Sequence, residues 1–383
     1  MSEYNNSLFV VETPLQYINA LEAKVEFDCG TSTLLLLYFD EKLIRKVLEL
    51  VDESEWERIL RYKIPFIESH IDFGARRPDS LKEKVIELRQ TLERLLCVSG
   101  LSWKIWTLPN IDRVFVGNLL AEHKNYNFHA VNSAKAREVI LLDDGLDTFL
   151  TNLERATPET AQRVKPNSLR SRIRQNFTQW NDSFIERITF FTAYPIKANE
   201  PDRIVRNGYK KIREGLANAD SNDSILFLGQ TFSEDDYCDV ETHINLIEDA
   251  TRILGRDRLR YVPHPRQADE VLKAVTEKLG LETLNPGMPI EMYLASAPTL
   301  PKAIASFCST ALPNCALIFG DRVKVVCFEF QTSKLRKQKE KIEFLYAELK
   351  SNFPDKIEFL NEDSDEFKAL GPSTECGTYM LHE

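Results

Sequence analysis

Glycine is scarce in this chain, 14 of 383 residues, about half the usual ~7%. That excludes collagen-like repeats and long glycine-rich linkers. The seven cysteines contain no CxxC pair and several sit inside apolar runs, as buried small hydrophobes do in a reducing compartment. The six histidines form no HxH or HxxxH pair, so no zinc spacing exists. GxxxxGK[ST], GxSxG and GxGxxG are all missing, which removes the commonest NTPase, hydrolase and dinucleotide readings. No apolar run exceeds a few residues beyond Leu34–Tyr38, too short to span a bilayer. The start, MSEYNNSLFVVETPLQ, has neither a basic n-region nor an apolar h-region. A soluble, cytoplasmic protein is the expectation.

What is present describes an ordinary packed protein: 43% hydrophobic and 28% charged residues, with 22 Phe and 12 Tyr. A net charge of −10 opposes general phosphate-backbone binding, so no nucleic-acid partner is expected. The length suits two domains.

The apolar pattern alternates between strand and helix. Strand-like runs at 8–11, 33–39, 113–116, 138–142 and 188–191 are separated by helical spacing at 14–24, 41–50 and 80–96. Pro14 after Thr13 suits the first turn of a helix. Tyr194–Asp202, with two prolines, reads as a linker. Beyond it come strands at 225–228, 259–262, 303–306, 324–328 and 356–360, with helices at 240–254, 268–279, 310–319 and 334–352 and a short helix after Pro289. Such alternation implies two α/β domains with parallel sheets, at 1–200 and 201–383. Ligands of such sheets bind outside the strands' carboxyl ends, so chemistry is sought in the loops that follow strands. Arg163–Arg174 holds five basic residues and no acid, a charge reversal that suits peripheral contact with anionic lipid at the inner membrane as well as a plain solvated face.

Four post-strand loops carry candidate chemistry. Asp143-Asp144-Gly145 delivers two carboxylates to a sheet edge, where proximity of like charges raises one pKa and makes a general base; an acidic turn would use the same residues. Pro263-His264-Pro265-Arg266 presents one imidazole on a stiffened backbone beside a guanidinium, a pairing suited to a phosphate leaving group. Ser309-Thr310 offers hydroxyls and free N–H groups at a helix N-terminus, for phosphate binding or for capping alone. Gly229-Gln230 closes a strand where a ligand can approach the backbone, and Glu291 opens a short helix where it can accept from a ribose diol or simply serve as first-turn charge.

In order along the chain, Glu12-Thr13-Pro14-Leu15-Gln16, Asp143-Asp144-Gly145, Gly229-Gln230, His264-Pro265, Glu291 and Ser309-Thr310 resemble the bacterial sialyltransferases. The closest resemblance is to glycosyltransferase family 52, the lipooligosaccharide sialyltransferases, with more distant similarity to the bacterial polysialyltransferases. It covers Leu8 to about Phe328. The resemblance implies a GT-B fold, two facing Rossmann-like domains with an interdomain cleft. It also implies inverting, metal-independent transfer of sialic acid from a CMP-activated donor to a glycan hydroxyl, with no cofactor.

By the same resemblance, Asp143 or Asp144 is the base and His264 assists departure of CMP. Gly229, Gln230, Pro265, Arg266, Glu291, Ser309 and Thr310 surround the donor; Thr13, Pro14 and Gln16 lie on the acceptor side. Family 52 differs from other bacterial sialyltransferases in its base, which leaves Asp235 and Asp236 as alternatives. The motifs bind CMP and do not choose the sugar, so pseudaminic acid, legionaminic acid and Kdo stay open. So do a non-catalytic nucleotide-binding or capsule-assembly protein and a GT-B-shaped epimerase acting on a UDP-sugar. A homodimer is a further partner expectation.

Overall fold

A computed structural model describes residues 6–65, 81–119, 126–145, 147–156 and 185–361. The chain divides into two compact units, Met1–Lys211 and Ile212–Glu383. The basic stretch 163–174 lies outside the described residues.

The first unit is built on a seven-stranded sheet of order β3-β2-β1-β4-β5-β6-β7. Its strands are β1 (Asn6–Val11), β2 (Thr31–Tyr38), β3 (Arg58–Lys63), β4 (Arg113–Val116), β5 (Glu138–Leu142), β6 (Thr189–Thr192) and β7 (Arg203–Arg206). Every pairing is parallel. Helices α1 (Pro14–Glu26), α2 (Glu41–Leu48), α3 (Leu81–Trp106), α4 (Tyr126–Ala134) and α5 (Asp147–Ala156) connect them. β1, β2 and β4 are almost wholly buried, which is why they read as continuous apolar runs rather than alternating ones. Phe9 stacks on Phe115 across the β1–β4 pair at 4.1 Å, and Trp56 meets Phe9 edge-on at 5.2 Å. The order reverses between β1 and β4, so the loops following β1, β4 and β5 converge at the switch point.

The second unit holds a six-stranded parallel sheet of order β10-β9-β8-β11-β12-β13. Its strands are β8 (Asp220–Leu228), β9 (Leu259–Val262), β10 (Glu282–Thr283), β11 (Thr299–Ser306), β12 (Lys324–Glu329) and β13 (Glu358–Asn361). Phe307 sits at the centre of its core, edge-on to Phe227, Phe328 and Phe330. Pro301 is tolerated in the central strand β11 because the register shifts there, between Pro301 and Ala303. Here the switch point lies between β8 and β11.

Several expected boundaries move. β7 pairs with β6, which extends the first unit to Lys211 rather than 200. The helix expected to end at Leu96 runs on to Trp106. Gly100 lies within this extension, where a Cβ would come 2.5 Å from the Tyr62 hydroxyl. The helix expected from Lys334 begins at Lys339, after a 3₁₀ turn at Thr332–Lys334.

Candidate active site

Each unit gathers its candidate residues at its own switch point. In the first, Thr13 caps α1, its hydroxyl accepting from the Gln16 backbone N at 3.2 Å while donating to Asp144 Oδ1 at 3.3 Å. Gln16 donates from Nε2 to Asp144 Oδ2 at 2.8 Å. Both carboxylate oxygens of Asp144 are thus steered by one turn of chain. Gly117 makes room for this grip: a Cβ there would lie 2.0 Å from the Gln16 side chain. Gly145 carries the turn at φ +65°, a conformation that favours glycine.

The two neighbouring aspartates have different surroundings. Asp143 is 1% exposed. Its Oδ2 accepts from the Ala193 backbone N at 2.8 Å, and its carbonyl from Asn19 Nδ2 at 2.8 Å. Asn207 donates to Asn19 Oδ1 at 3.0 Å, extending the network from α1 to the end of β7. Burial pushes the Asp143 carboxyl up to about 7, against hydrogen bonds from Thr192, Ala193 and Thr148. Among the described residues its buried Oδ1 has no hydrogen-bond partner. Asp144 is half-buried, and burial raises it to about 6, with Asp147 adding to the rise and Gln16, Thr13 and Asn118 opposing it. Asp143 therefore holds the strand ends together, whereas Asp144 presents a carboxylate that ionises near neutrality.

A stability consequence follows from the Asp143 shift. Between about pH 4, where an unfolded Asp titrates, and pH 7, the native state binds the proton that the unfolded chain has lost. Stability contributed by the protonated group is therefore full at low pH and falls as pH rises through 7. Asp143→Asn should flatten this component, so the difference in unfolding free energy between pH 5 and pH 8, measured by denaturant titration, should shrink in that variant.

In the second unit the organising residue is Gln267, which sequence reasoning missed. Its Oε1 accepts from the Tyr261 hydroxyl at 2.6 Å and the His264 backbone N at 3.3 Å, and its Nε2 donates to the Gln230 carbonyl at 3.2 Å. Gly229 is required by that knot: a Cβ would lie 2.4 Å from the Tyr261 hydroxyl and 2.6 Å from Gln267 Oε1. Its role in the structure is packing at the β8–β9 edge. Gln267 follows His264 by three residues, the spacing of one turn, which is the only sequence signal that pointed to it.

His264 accepts from the Arg266 backbone N at its Nδ1, 3.2 Å away. The neutral ring consequently carries its proton on Nε2, where it donates. Burial, and secondarily Arg266, depress the imidazole below its ordinary value. Arg266 itself is held by Asp235, Nη1 to Oδ1 at 2.9 Å and Nη2 to Oδ2 at 3.2 Å. Thr231 also donates to Asp235 Oδ2 at 2.6 Å. Asp235 is lowered by Thr231 and then Arg266. Asp236 is exposed, at φ +58°, and is lowered by its ion pair with Lys337. Both alternative bases are therefore ion-paired and lowered, whereas Asp144, held by hydrogen bonds alone, is raised.

Gln230 donates weakly to Ser306 Oγ at 3.4 Å. Ser309 Oγ accepts from Ala311 N at 3.2 Å, closing the turn that precedes the helix Ala311–Phe319, and Thr310 occupies the cap without a side-chain capping bond. Glu291 is 8% exposed and accepts from Asn314 Nδ2 at 2.9 Å; burial raises its carboxyl, against that bond. Asn314 also went unread in the sequence. Among the described residues no group of three or more His, Cys, Asp or Glu is placed to hold a metal ion, and no helix is long and apolar enough to cross a membrane.

The sequence model of a family described as alpha-2,8-polysialyltransferase (POLYST) matches residues 7–328, the span that includes every one of these loops. The chain belongs to the alpha-2,8-polysialyltransferase family. It is an enzyme, a transferase that uses CMP-sialic acid. The family shown is thus the one the motifs resembled more distantly. No curated protein sequence matches the chain. Among solved structures, Arabidopsis thaliana UGT89C1 complexed with UDP aligns over 96% of this chain and 88% of its own, at 11% identity and a TM-score of 0.48. The UDP-GlcNAc 2-epimerase from Neisseria meningitidis bound to UDP-GlcNAc aligns over 95% and 89%, at 14% identity and 0.44. The glycosyl transferase family 9 protein from Veillonella parvula covers the same shares at 12% identity and 0.41. At such scores these likenesses add nothing to what the two parallel sheets already display.

Proposed function

We propose that this polysialyltransferase-family chain performs an inverting, metal-independent displacement in which Asp144 takes the proton of the acceptor hydroxyl and His264 assists the departing CMP. The observation that carries the reading is the contrast between Asp144 and the other candidate acids. It alone combines partial exposure, oriented oxygens and a titration raised to about 6.

In that step the acceptor O–H proton moves to the Asp144 carboxylate as its oxygen bonds to the anomeric carbon. The bond from that carbon to the phosphate breaks, and its electron pair leaves with CMP. The anomeric carbon is tertiary and bears a carboxylate, so the transition state is oxocarbenium-like and needs leaving-group stabilisation more than a strong nucleophile. His264 Nε2–H is the donor available for a phosphate oxygen. The hydroxyls of Ser309 and Thr310 supply further donors for the phosphate, since the Ala311 and Leu312 N–H groups already bond to Ser309 and Pro313 has none. Glu291, held by Asn314, is assigned to the ribose diol, and Gln230 to the cytidylate. Arg266, already paired with Asp235, serves the His264 loop rather than bearing an unmet charge for the phosphate. Pro265 stiffens that loop, and Pro14 starts the helix from which Gln16 reaches Asp144.

The acceptor in this reading is a hydroxyl of a surface glycan, lipooligosaccharide or capsule, met at the cytoplasmic face of the inner membrane. The order of the motifs keeps the family 52 kinship within the same proposal, and α2,8-linked sialosides are the first acceptors to try. Donor recognition is tested without any acceptor. CMP at a hundred times its dissociation constant stabilises a native state by about 2.7 kcal/mol. CMP should therefore raise the Tm while UDP leaves it unchanged, and no shift at millimolar CMP would contradict the proposal.

A further inference from the structure

We propose that Glu12 and Asp144 form a coupled carboxyl pair, in which Glu12 is the positioning residue that sets how strongly Asp144 holds the acceptor's proton. The inference rests on Asp144 being the base in the reading above.

One side chain, Gln16, ties the Asp144 carboxyl to the backbone of Glu12 and so holds the two residues in one turn. Gln16 accepts from the Glu12 backbone N at 2.8 Å with Oε1, and donates to Asp144 Oδ2 at 2.8 Å with Nε2. Thr13, between them in the turn, donates to the other Asp144 oxygen. From α4, Asn127 Nδ2 donates to Glu12 Oε1 at 2.8 Å and fixes the second carboxyl. Gly117 leaves room for the bridge, since a Cβ there would collide with the Gln16 side chain. Around the pair, α5 contributes Asp147, the loop after β4 contributes neutral Asn118, and α1 contributes neutral Thr13 and Gln16. Arg206 of β7 is a cation whose charge bears on the neighbouring Asp143.

Two like charges held this way ionise in sequence, with apparent values that belong to the pair. Asp144 ionises first, near 6. Burial and the charge on Asp144 together keep the Glu12 proton to about 7, against the bond from Asn127. Between those values the pair holds one proton. Above them both are charged, and the negative Glu12 makes Asp144 a stronger acceptor for the proton arriving from the hydroxyl.

The test uses the full chain with carboxyl-¹³C Asp and Glu, the Glu12 resonance being assigned with Glu12→Gln. In the wild type Glu12 should titrate near pH 7, and in Asp144→Asn its midpoint should fall. In parallel, kcat for transfer should rise with pH in two steps in the wild type and in one step in Glu12→Gln. The plateau of that variant should lie a few-fold lower, following the weakened base, with KM unchanged. A Glu12 midpoint that Asp144→Asn does not move overturns the pairing whatever the activity, and so does an unaltered two-step profile in Glu12→Gln. Transfer that survives Asp144→Asn instead overturns the assignment of the base, leaving the titration to decide the pairing by itself. Should Glu12→Gln not fold, the resonance that responds in the Asp144→Asn titration still decides it.

Discussion

Asp144→Asn should lower kcat for sialyl transfer by about 10²–10⁴-fold, the usual contribution of a positioned general base. The amide keeps the size of the side chain and an oxygen able to accept from Gln16 or Thr13, so the turn should hold and CMP should still raise the Tm. The proton, however, has nowhere to go. Asp143→Asn provides the internal contrast. Its carboxyl lies inside the β5–β6 junction, bonded to the Ala193 backbone, and is 1% exposed. Its replacement should change the pH dependence of stability far more than the rate per folded molecule. Initial rates of CMP release, corrected for folded fraction, separate the two variants. A loss below tenfold in Asp144→Asn would move the base elsewhere.

His264→Ala should cost about 10²–10³-fold in kcat, comparable to removing one donor from a preorganised anion site. The ring lies neutral with its proton on Nε2 because the Arg266 backbone N occupies Nδ1. Its help therefore comes from a directed hydrogen bond, which strengthens as charge grows on the leaving phosphate. The loss should consequently fall on kcat, with the donor KM little changed. Gln267→Ala should produce part of the same defect by freeing the loop, since Gln267 ties the His264 backbone to Tyr261 and Gln230. A raised donor KM with kcat unchanged for His264→Ala would instead mark the ring as a simple binding group.

The parallel strands of the core were readable because burial on both faces leaves an uninterrupted apolar run. Glu138–Leu142 and Leu259–Val262 emerge at their expected bounds, and so does the amphipathic helix Val240–Leu254. The two edge strands of the first sheet were less readable. Arg58–Lys63 and Arg203–Arg206 are half-exposed and interleave basic with apolar residues, as edges do to discourage further pairing. Missing the second of them placed the domain boundary too early.

In the site, the residues that end strands were legible one by one, but their division of labour was not. Asp143 and Asp144 are equivalent as letters and differ only in what folds around them. Gln16 reaches Asp144 across 128 positions of sequence, and no local pattern announces such a contact. Arg266 reads as a phosphate ligand until Asp235 is found gripping its fork.

The central chemical event is attack by a glycan hydroxyl on CMP-sialic acid, with Asp144 receiving the proton. Proton NMR of the wild-type and Asp144→Asn reactions, with CMP-Neu5Ac and an α2,8-linked sialoside acceptor, observes it directly. The wild type should release one CMP for each new glycosidic bond, with the β-linked donor converted to an α-glycoside, and the variant should be nearly silent. A β-configured product, or bond formation at an undiminished rate in Asp144→Asn, would contradict it.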